Sequence, residues 1–304
     1  MHTPPDRSHV QTEQRNPRTM HMHRLSAGEC VALIGQEDRA VLEAMDKARG
    51  ALTRLLEAAE PGFVAGGRLV YLGAGTSGRL GVLDAAEAPP TFQVEPGRVV
   101  GIIAGGDAAL RESSESKEDD PAGARKELEE LGLTARDTVV GIAAGGTTPY
   151  VLGGLKIAAR SGATTALIVC TKMERPAWVQ HLVVLETGPE VITGSTRMKA
   201  GTATKLALNT ISTTLMIREG RVYENLMVDL RASNDKLRDR AARIVSTLTG
   251  LGRNDAFELL EASGGSVKTA VIMHRLQVSR SVAEARLAAA QGRLDVALGE
   301  REKT

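Results

Sequence analysis

Five short, continuous apolar runs, at 69–72, 99–104, 138–144, 164–169 and 182–185, alternate with helical stretches through the middle of this chain. A strand that is apolar at every position is buried on both faces, which requires helices on both sides of a parallel sheet. The pattern predicts an α/β fold, a doubly wound five-stranded parallel sheet flanked by helices. Residues 1–24 are polar and rich in His, Arg and Pro, and read as a flexible, poorly ordered arm. Ser26 with Glu29 three residues later matches a capping box, which starts a helix. A second helix is expected over 37–59, ended by Pro61 and Gly62. Beyond residue 229 the strand signals stop. Stretches 231–248, 255–262, 266–274 and 279–298 read as short amphipathic helices broken by glycine. The expected organisation is an arm over 1–24, an α/β domain with N-terminal helices over 25–229, and a small helical C-terminal subdomain over 230–304.

Composition narrows the function classes. Aromatics are 2% of the 304 residues against 42% hydrophobic overall, so Val, Leu, Ile and Ala must build the core. A formal net charge of +1 provides no field for nucleic acid or an acidic membrane. No apolar run approaches the roughly 20 residues of a membrane span, and the N-terminal segment lacks the apolar stretch of a signal peptide. Two cysteines, Cys30 and Cys170, suit a reducing cytosol. A soluble cytoplasmic protein without nucleic-acid or membrane partners is expected. His21 and His23 have no carboxylate or thiol at ligand spacing, and no Ser–His–Asp arrangement surrounds His181 or His274, so no metal or triad chemistry is expected.

Four segments carry candidate chemistry. In the first, an apolar run enters Gly73-Ala74-Gly75-Thr76-Ser77-Gly78 and then a helix. Glycines let backbone approach an anion, and the N–H groups of a helix start point at it. Thr76 and Ser77 add hydroxyl donors for a phosphate monoester. A dinucleotide is the second reading, but it needs an acid about 20 residues on, and Asp107 comes roughly 30 residues on. In a third reading the glycines serve only strand–helix packing. The helix is expected to end near Glu87, a carboxylate followed by Pro89 and Pro90. The second segment, 141–150, repeats the pattern with Gly145, Gly146, Thr147 and Thr148, and reads either as a second ligand loop or as a plain strand–helix turn. The third, 191–205, gathers Ser195, Thr196, Arg197, Lys199 and Lys205 before and within a helix reaching 217. Ser195 can cap that helix or donate to phosphate, and Lys205 and Asn209, four apart, share a face. The fourth, 112–120, is acidic. Glu115 and Glu118 share a helical face, which is either solvated or holds a buried base.

Taken together, 12–17, 73–92, 104–119 and 192–209 make the chain resemble the N-acetylmuramic acid 6-phosphate etherase family over nearly its whole length. The resemblance implies a sugar isomerase (SIS) fold and a place in bacterial cell-wall recycling. It implies cleavage of the D-lactyl ether of N-acetylmuramic acid 6-phosphate to GlcNAc 6-phosphate and D-lactate, by elimination and then hydration, with no metal or redox cofactor. Two carboxylates act in that family, and they fall here on Glu87, as the acid toward lactate, and Glu115, as the base at C2. By the same resemblance Glu118 holds sugar hydroxyls, and Gly75, Thr76, Ser77, Gly78, Gly145, Thr147, Thr148, Ser195, Thr196 and Lys199 bind the sugar phosphate. The chain departs from the family pattern in three places. Gly145 and Thr147 stand where Ser and Arg are usual, His23 where Asp is usual, and Ser113-Ser114 where small apolar residues are usual. The competing expectations are a sugar-phosphate isomerase on the same fold and a non-catalytic sugar-phosphate sensor resembling glucokinase regulators. If 77–87 is one continuous helix, its two ends lie about 15 Å apart, more than a hexose phosphate spans. A homodimer with the site near its interface is therefore expected.

Overall fold

The computed structural model describes residues 6–112, 117–230 and 235–300. The chain divides into two compact units, Met1–Ala86 with Gly97–Ser212, and Glu87–Pro96 with Thr213–Thr304.

The first unit holds the sheet. The strands are β1 (Leu69–Gly73), β2 (Val99–Ile103), β3 (Thr138–Ile142), β4 (Thr164–Val169) and β5 (His181–Val184), all parallel, in the order β2-β1-β3-β4-β5. Every residue of β1 and β3 is buried, which is why their sequences carry no polar alternation. The helices that begin in it are α1 (Ala27–Glu37), α2 (Arg39–Val64), α3 (Gly75–Phe92), α4 (Arg125–Leu131), α5 (Pro149–Arg160) and α6 (Lys199–Arg218), of which α3 and α6 end in the second unit. Val70, Leu72, Val139 and Leu167 of the sheet pack with Tyr150, Val151 and Leu155 of α5 and with Leu128 of α4. Helix α2 covers β3, β4 and β5 with a stripe spaced three and four apart, Val41, Ala44, Ala48, Leu52, Leu55, Ala59 and Phe63. Full burial of a side chain such as Leu55 stabilises by about 1.5–3 kcal/mol.

The capping box at Ser26 and Glu29 is present and opens α1. Two helices run further than their prolines suggest. α2 continues through Pro61 to Val64, and α3 continues through Pro89 and Pro90 to Phe92. A proline removes one hydrogen bond to the turn before it and leaves its own carbonyl free to accept. Ala65 N–H duly donates to Pro61 O at 3.1 Å, and Gln93 N–H to Pro89 O at 3.0 Å. Each helix then ends at a left-handed residue, Gly66 (φ 92°) after α2 and Gln93 (φ 54°) after α3.

The N-terminal segment departs most from expectation. From Asp6 to Arg24 it is a strap rather than a loose arm, with 3-10 turns at Gln11–Glu13, Pro17–Thr19 and Met22–Arg24. Val10, Thr12, Asn16 and Thr19 are buried. Its polar residues are satisfied by distant partners. Gln11 N–H donates to Thr171 Oγ1 at 3.2 Å, Asn16 Nδ2 to Glu37 Oε2 at 2.7 Å, and Thr19 Oγ1 to Val191 O at 2.8 Å. Glu37, 4% exposed, also accepts from Lys199 Nζ at 2.8 Å and from the Arg18 guanidinium. One carboxylate thus joins the strap, the corner between α1 and α2, and the start of α6.

The second unit contains a two-residue hairpin, β6 (Val222–Tyr223) with β7 (Leu226–Met227), and five helices, α7 (Asp235–Thr249), α8 (Arg253–Ala262), α9 (Val267–Leu276), α10 (Arg280–Ala289) and α11 (Leu294–Leu298). The single helix expected over 279–298 is two, because Gln291 (φ 52°) and Gly292 (φ 80°) turn the chain. Ile244, Val245, Leu260, Val271, Ile272 and Leu294 lie in its core. Buried Lys268 bridges Asp229 Oδ2 and Gly292 O at 2.7 Å each. Among the described residues no helix is long and apolar enough to cross a membrane.

The Arg18 guanidinium, with Lys199 and Asn16, overcomes burial and holds the Glu37 carboxyl down at about 2, from an ordinary 4.5. Glu37→Gln leaves the Lys199 ammonium buried without a counter-charge, so it should destabilise by about 3–5 kcal/mol at neutral pH. A depressed carboxylate contributes stability above its unfolded pKa and loses it as pH falls toward its folded value. Urea melts should therefore show the gap between wild type and Glu37→Gln closing as pH drops from 4.5 toward 2.

Candidate active site

In an open parallel sheet a ligand binds beyond the carboxyl ends of the strands, where the strand order reverses. Here β1 is followed by β2 on one side, whereas β3, β4 and β5 run out on the other, so the switch point lies between β1 and β3. Gly73 at the end of β1 pairs in register with Ile142 at the end of β3. The loops that follow them are the first and second candidate segments.

The first loop is short. α3 already begins at Gly75, so Thr76, Ser77 and Gly78 form its first turn. The glycines divide into two kinds. A Cβ on Gly73 would lie 2.6 Å from Gly78 N, and one on Gly78 would lie 2.6 Å from Ile103 Cγ1, so both let the helix start press against the strand ends. Gly75 has open space around it and a φ of 52°, so it is required by backbone conformation and is exposed. The packing reading thus holds for Gly73 and Gly78, whereas Gly75 serves the backbone turn. Gly78 N–H returns to Ala74 O at 3.2 Å. Among the described residues no acceptor meets the N–H groups of Thr76 and Ser77. They stand at the positive end of an 18-residue helix.

The second loop turns through Gly146 (φ 72°), whose N–H donates to Ala143 O at 2.8 Å, and enters α5 with Pro149 in the first turn. Thr148 occupies the N-cap position, yet its side chain makes no capping bond. Gly145 and Thr148 are half-buried and Thr147 is exposed. Tyr150 N–H donates to Glu118 O at 3.0 Å, which fixes Glu118 beside the start of α5. Glu115 lies outside the described residues.

The third segment meets the first. A Cβ on Gly201 would lie 3.5 Å from Thr76 Cγ2 and 3.3 Å from Thr196 O. Ser195 and Thr196 are half-buried in a turn, where Ser195 N–H donates to Ile192 O at 2.9 Å and Met198 N–H to Ser195 O at 3.2 Å. Ser195 does not cap α6. The buried Glu190 carboxylate does, accepting from Lys199 N at 3.1 Å and Ala200 N at 2.9 Å. Burial pushes that carboxyl upward, against the two backbone bonds. Lys199, expected as a phosphate ligand, is 0% exposed with its ammonium on Glu37. The sequence pattern could not reveal either partner, since Glu37 is 162 residues from Lys199.

Glu87 is exposed on α3, ten residues beyond Ser77. One turn before it, Asp84 belongs to a network the sequence reading did not anticipate. Tyr71 OH donates to Asp84 Oδ2 at 2.8 Å and Ser212 Oγ to Asp84 Oδ1 at 3.2 Å. With the Asn209 amide oriented to donate to Asp84, its oxygen accepts from Lys205 Nζ at 2.9 Å, so the shared face of Lys205 and Asn209 braces α3. Burial pushes the Asp84 carboxyl up against these bonds.

Residues 50–159 match the family model of the glucokinase regulatory protein N-terminal SIS domain. Full-length relatives extend the match. The N-acetylmuramic acid 6-phosphate etherase of Synechococcus sp. (strain CC9605) is 52% identical over 93% of this chain and 90% of its own length. That of Gloeobacter violaceus is 50% identical over 97% and 96%, and etherase 1 of Bacillus licheniformis is 46% identical over 96% and 97%. With about half of its residues shared along almost its entire length, the chain belongs to the N-acetylmuramic acid 6-phosphate etherase family.

Proposed function

We propose that this chain is a carbon–oxygen lyase that cleaves the D-lactyl ether of N-acetylmuramic acid 6-phosphate, giving GlcNAc 6-phosphate and D-lactate. The observation that carries the reading is the glycine-rich start of α3 at the switch point, in a chain half identical to etherases over more than nine-tenths of its length. The phosphate sits on the N–H groups and hydroxyls of Thr76 and Ser77, with Ser195 and Thr196 against them and Gly145, Thr147 and Thr148 across the switch point. Glu118 holds sugar hydroxyls. Lys199 is not among the ligands, because its charge is spent on Glu37.

The chemistry follows from the substrate. Ring opening exposes an aldehyde at C1, which acidifies the proton on C2. Glu115 removes that proton. Glu87 protonates the ether oxygen on C3 as lactate leaves, and water then adds at C3 of the unsaturated aldehyde. Each positioned acid or base contributes about 10²–10⁴-fold, and backbone N–H groups stabilise the developing enolate. An isomerase would need the base at C2 but no acid at C3.

α3 is unbroken from Gly75 to Phe92, so Glu87 stands about 15 Å along the helix from Ser77. We read Glu87 as serving the phosphate loop of a second copy, in a homodimer. Leu83, 47% exposed one turn before Glu87 on the same face, suits a contact surface. We place the enzyme in the cytoplasm, consistent with its two free thiols, Cys30 and Cys170.

Two measurements test this reading. Wild type should release D-lactate from N-acetylmuramic acid 6-phosphate, and Glu87→Gln and Glu115→Gln should each lower the rate by about 10²-fold or more. Tight binding of the sugar phosphate without release would instead identify a sensor. Mixing Glu87→Gln with Ser77→Ala should restore activity above that of either variant alone, because one mixed site then has both groups. A fully active monomer would rule out the shared site.

A further inference from the structure

Among the described residues β2 pairs with β1 alone, so it forms one edge of the sheet. Leu69 N–H donates to Arg98 O at 3.1 Å and Ala104 N–H to Gly73 O at 3.0 Å. In a parallel ladder successive residues face opposite neighbours, so Arg98 and Ala104 fix the even-numbered residues toward β1. The N–H and C=O groups of Gly101 and Ile103 then point to the open edge, where no described residue meets them. Natural sheets blunt such an edge with charged residues, prolines or bulges. β2 reads Val-Val-Gly-Ile-Ile in unbroken register and has none of these. Its Val100 and Gly101 are half-buried, whereas every residue of β1 and β3 is buried.

A groove of about 350 Å³ runs along this edge. Val100, Ile102 and Leu131 of α4 supply its apolar surface, and they pack into the core shared with α5. On the opposite face Gly101 presses against α3, since a Cβ there would lie 2.5 Å from Val82 Cα, so the groove lies on the α4 side. The charged residues that line it are Asp107, Glu127 and Glu130, all carboxylates. Glu130 meets Lys126 only loosely, at 3.9 Å with both side chains exposed. Arg68, which donates to Leu131 O at 2.6 Å, is paired with Asp137.

We propose that this groove docks an extended basic segment of a partner protein, which adds to β2 as a further strand. Its backbone bonds the outward groups of Gly101 and Ile103, as in strand addition generally. Its alternate side chains fall on the α4 side. Lys or Arg suits those positions, because the aliphatic stem lies on Val100, Ile102 and Leu131 while the cation reaches the carboxylates. Charge also decides against a second copy of this chain. Two such edges brought together would set the same carboxylates against each other. β1 separates the groove from the switch point, so the inference stands apart from the etherase reading.

The probe is a blocked peptide that alternates lysine with valine, and its control carries glutamate in place of lysine. Calorimetry should show saturable binding of the first and none of the second, weakening as salt rises. Glu127→Gln combined with Glu130→Gln should weaken binding about five-fold or more and leave the melting temperature unchanged. Bound peptide should slow hydrogen exchange at the Gly101 and Ile103 amides, which contact through charge alone would not do. Absence of binding, equal binding of both peptides, undiminished binding by the double variant, or unprotected Gly101 and Ile103 amides would each overturn the proposal. So would protection of those amides without peptide. That result would give the edge to a second copy if protection rises with protein concentration, and to this chain itself if it does not.

Discussion

The Glu37 carboxylate holds this architecture in register. Three donors converge on it from two segments, Asn16 and Arg18 of the strap and Lys199 at the first turn of α6. Apolar side chains of equal volume would bury as much surface and avoid the cost of desolvating two charges. What they would lack is direction. A carboxylate with its lone pairs committed admits one arrangement of its neighbours, and the strap can then lie only where Thr12 crosses Gly145 and Gly194. The first turn of α6 is fixed by the same pair, which sets Gly201 against Thr76.

The same economy decides which helix start takes a ligand. A helix N-terminus attracts any nearby anion, including one of the protein's own. At α6 the buried Glu190 occupies the N–H groups of Lys199 and Ala200, so that end is closed. At α3 the glycines exclude side chains from the turn, which is why we propose the N–H groups of Thr76 and Ser77 as the phosphate site. Three segments rich in glycine and hydroxyls thus differ in role. One opens α3 at the switch point, one lies opposite it, and one is a braced wall.

The sheet was legible in the sequence because burial on both faces writes itself as unbroken apolar runs, and all five strands lie where those runs are. The capping box at Ser26 was legible for the same reason, since its partners are three residues apart. What escaped were partners far apart in the chain. Thr12, Asn16 and Thr19 look like loop polarity until Gly194, Pro189 and Val191 are brought beside them. Lys199 looks like a phosphate ligand until Glu37 is found 162 residues away. Helix ends were misjudged where prolines were taken as stops. A proline in a last turn forfeits one bond and still lets the following residues close on its carbonyl, as Pro61 and Pro89 do.

The continuity of α3 then constrains the chemistry. An elimination across C2 and C3 of a hexose 6-phosphate needs a base and an acid within a few ångströms of those carbons, while the phosphate is held at the other end of a short molecule. A rigid helix that carries phosphate donors in its first turn cannot bend its fourth turn back onto the same ligand, for each residue adds about 1.5 Å of rise. The carboxylate on such a helix must therefore act on a ligand anchored elsewhere, or the helix would have to break. The prolines that might have broken it do not, because they fall beyond Glu87 and within the last turn. The local chemistry of Pro89 and Pro90 thus leaves Glu87 within one unbroken helix, which is why we propose that the phosphate site it serves belongs to a second copy of the chain.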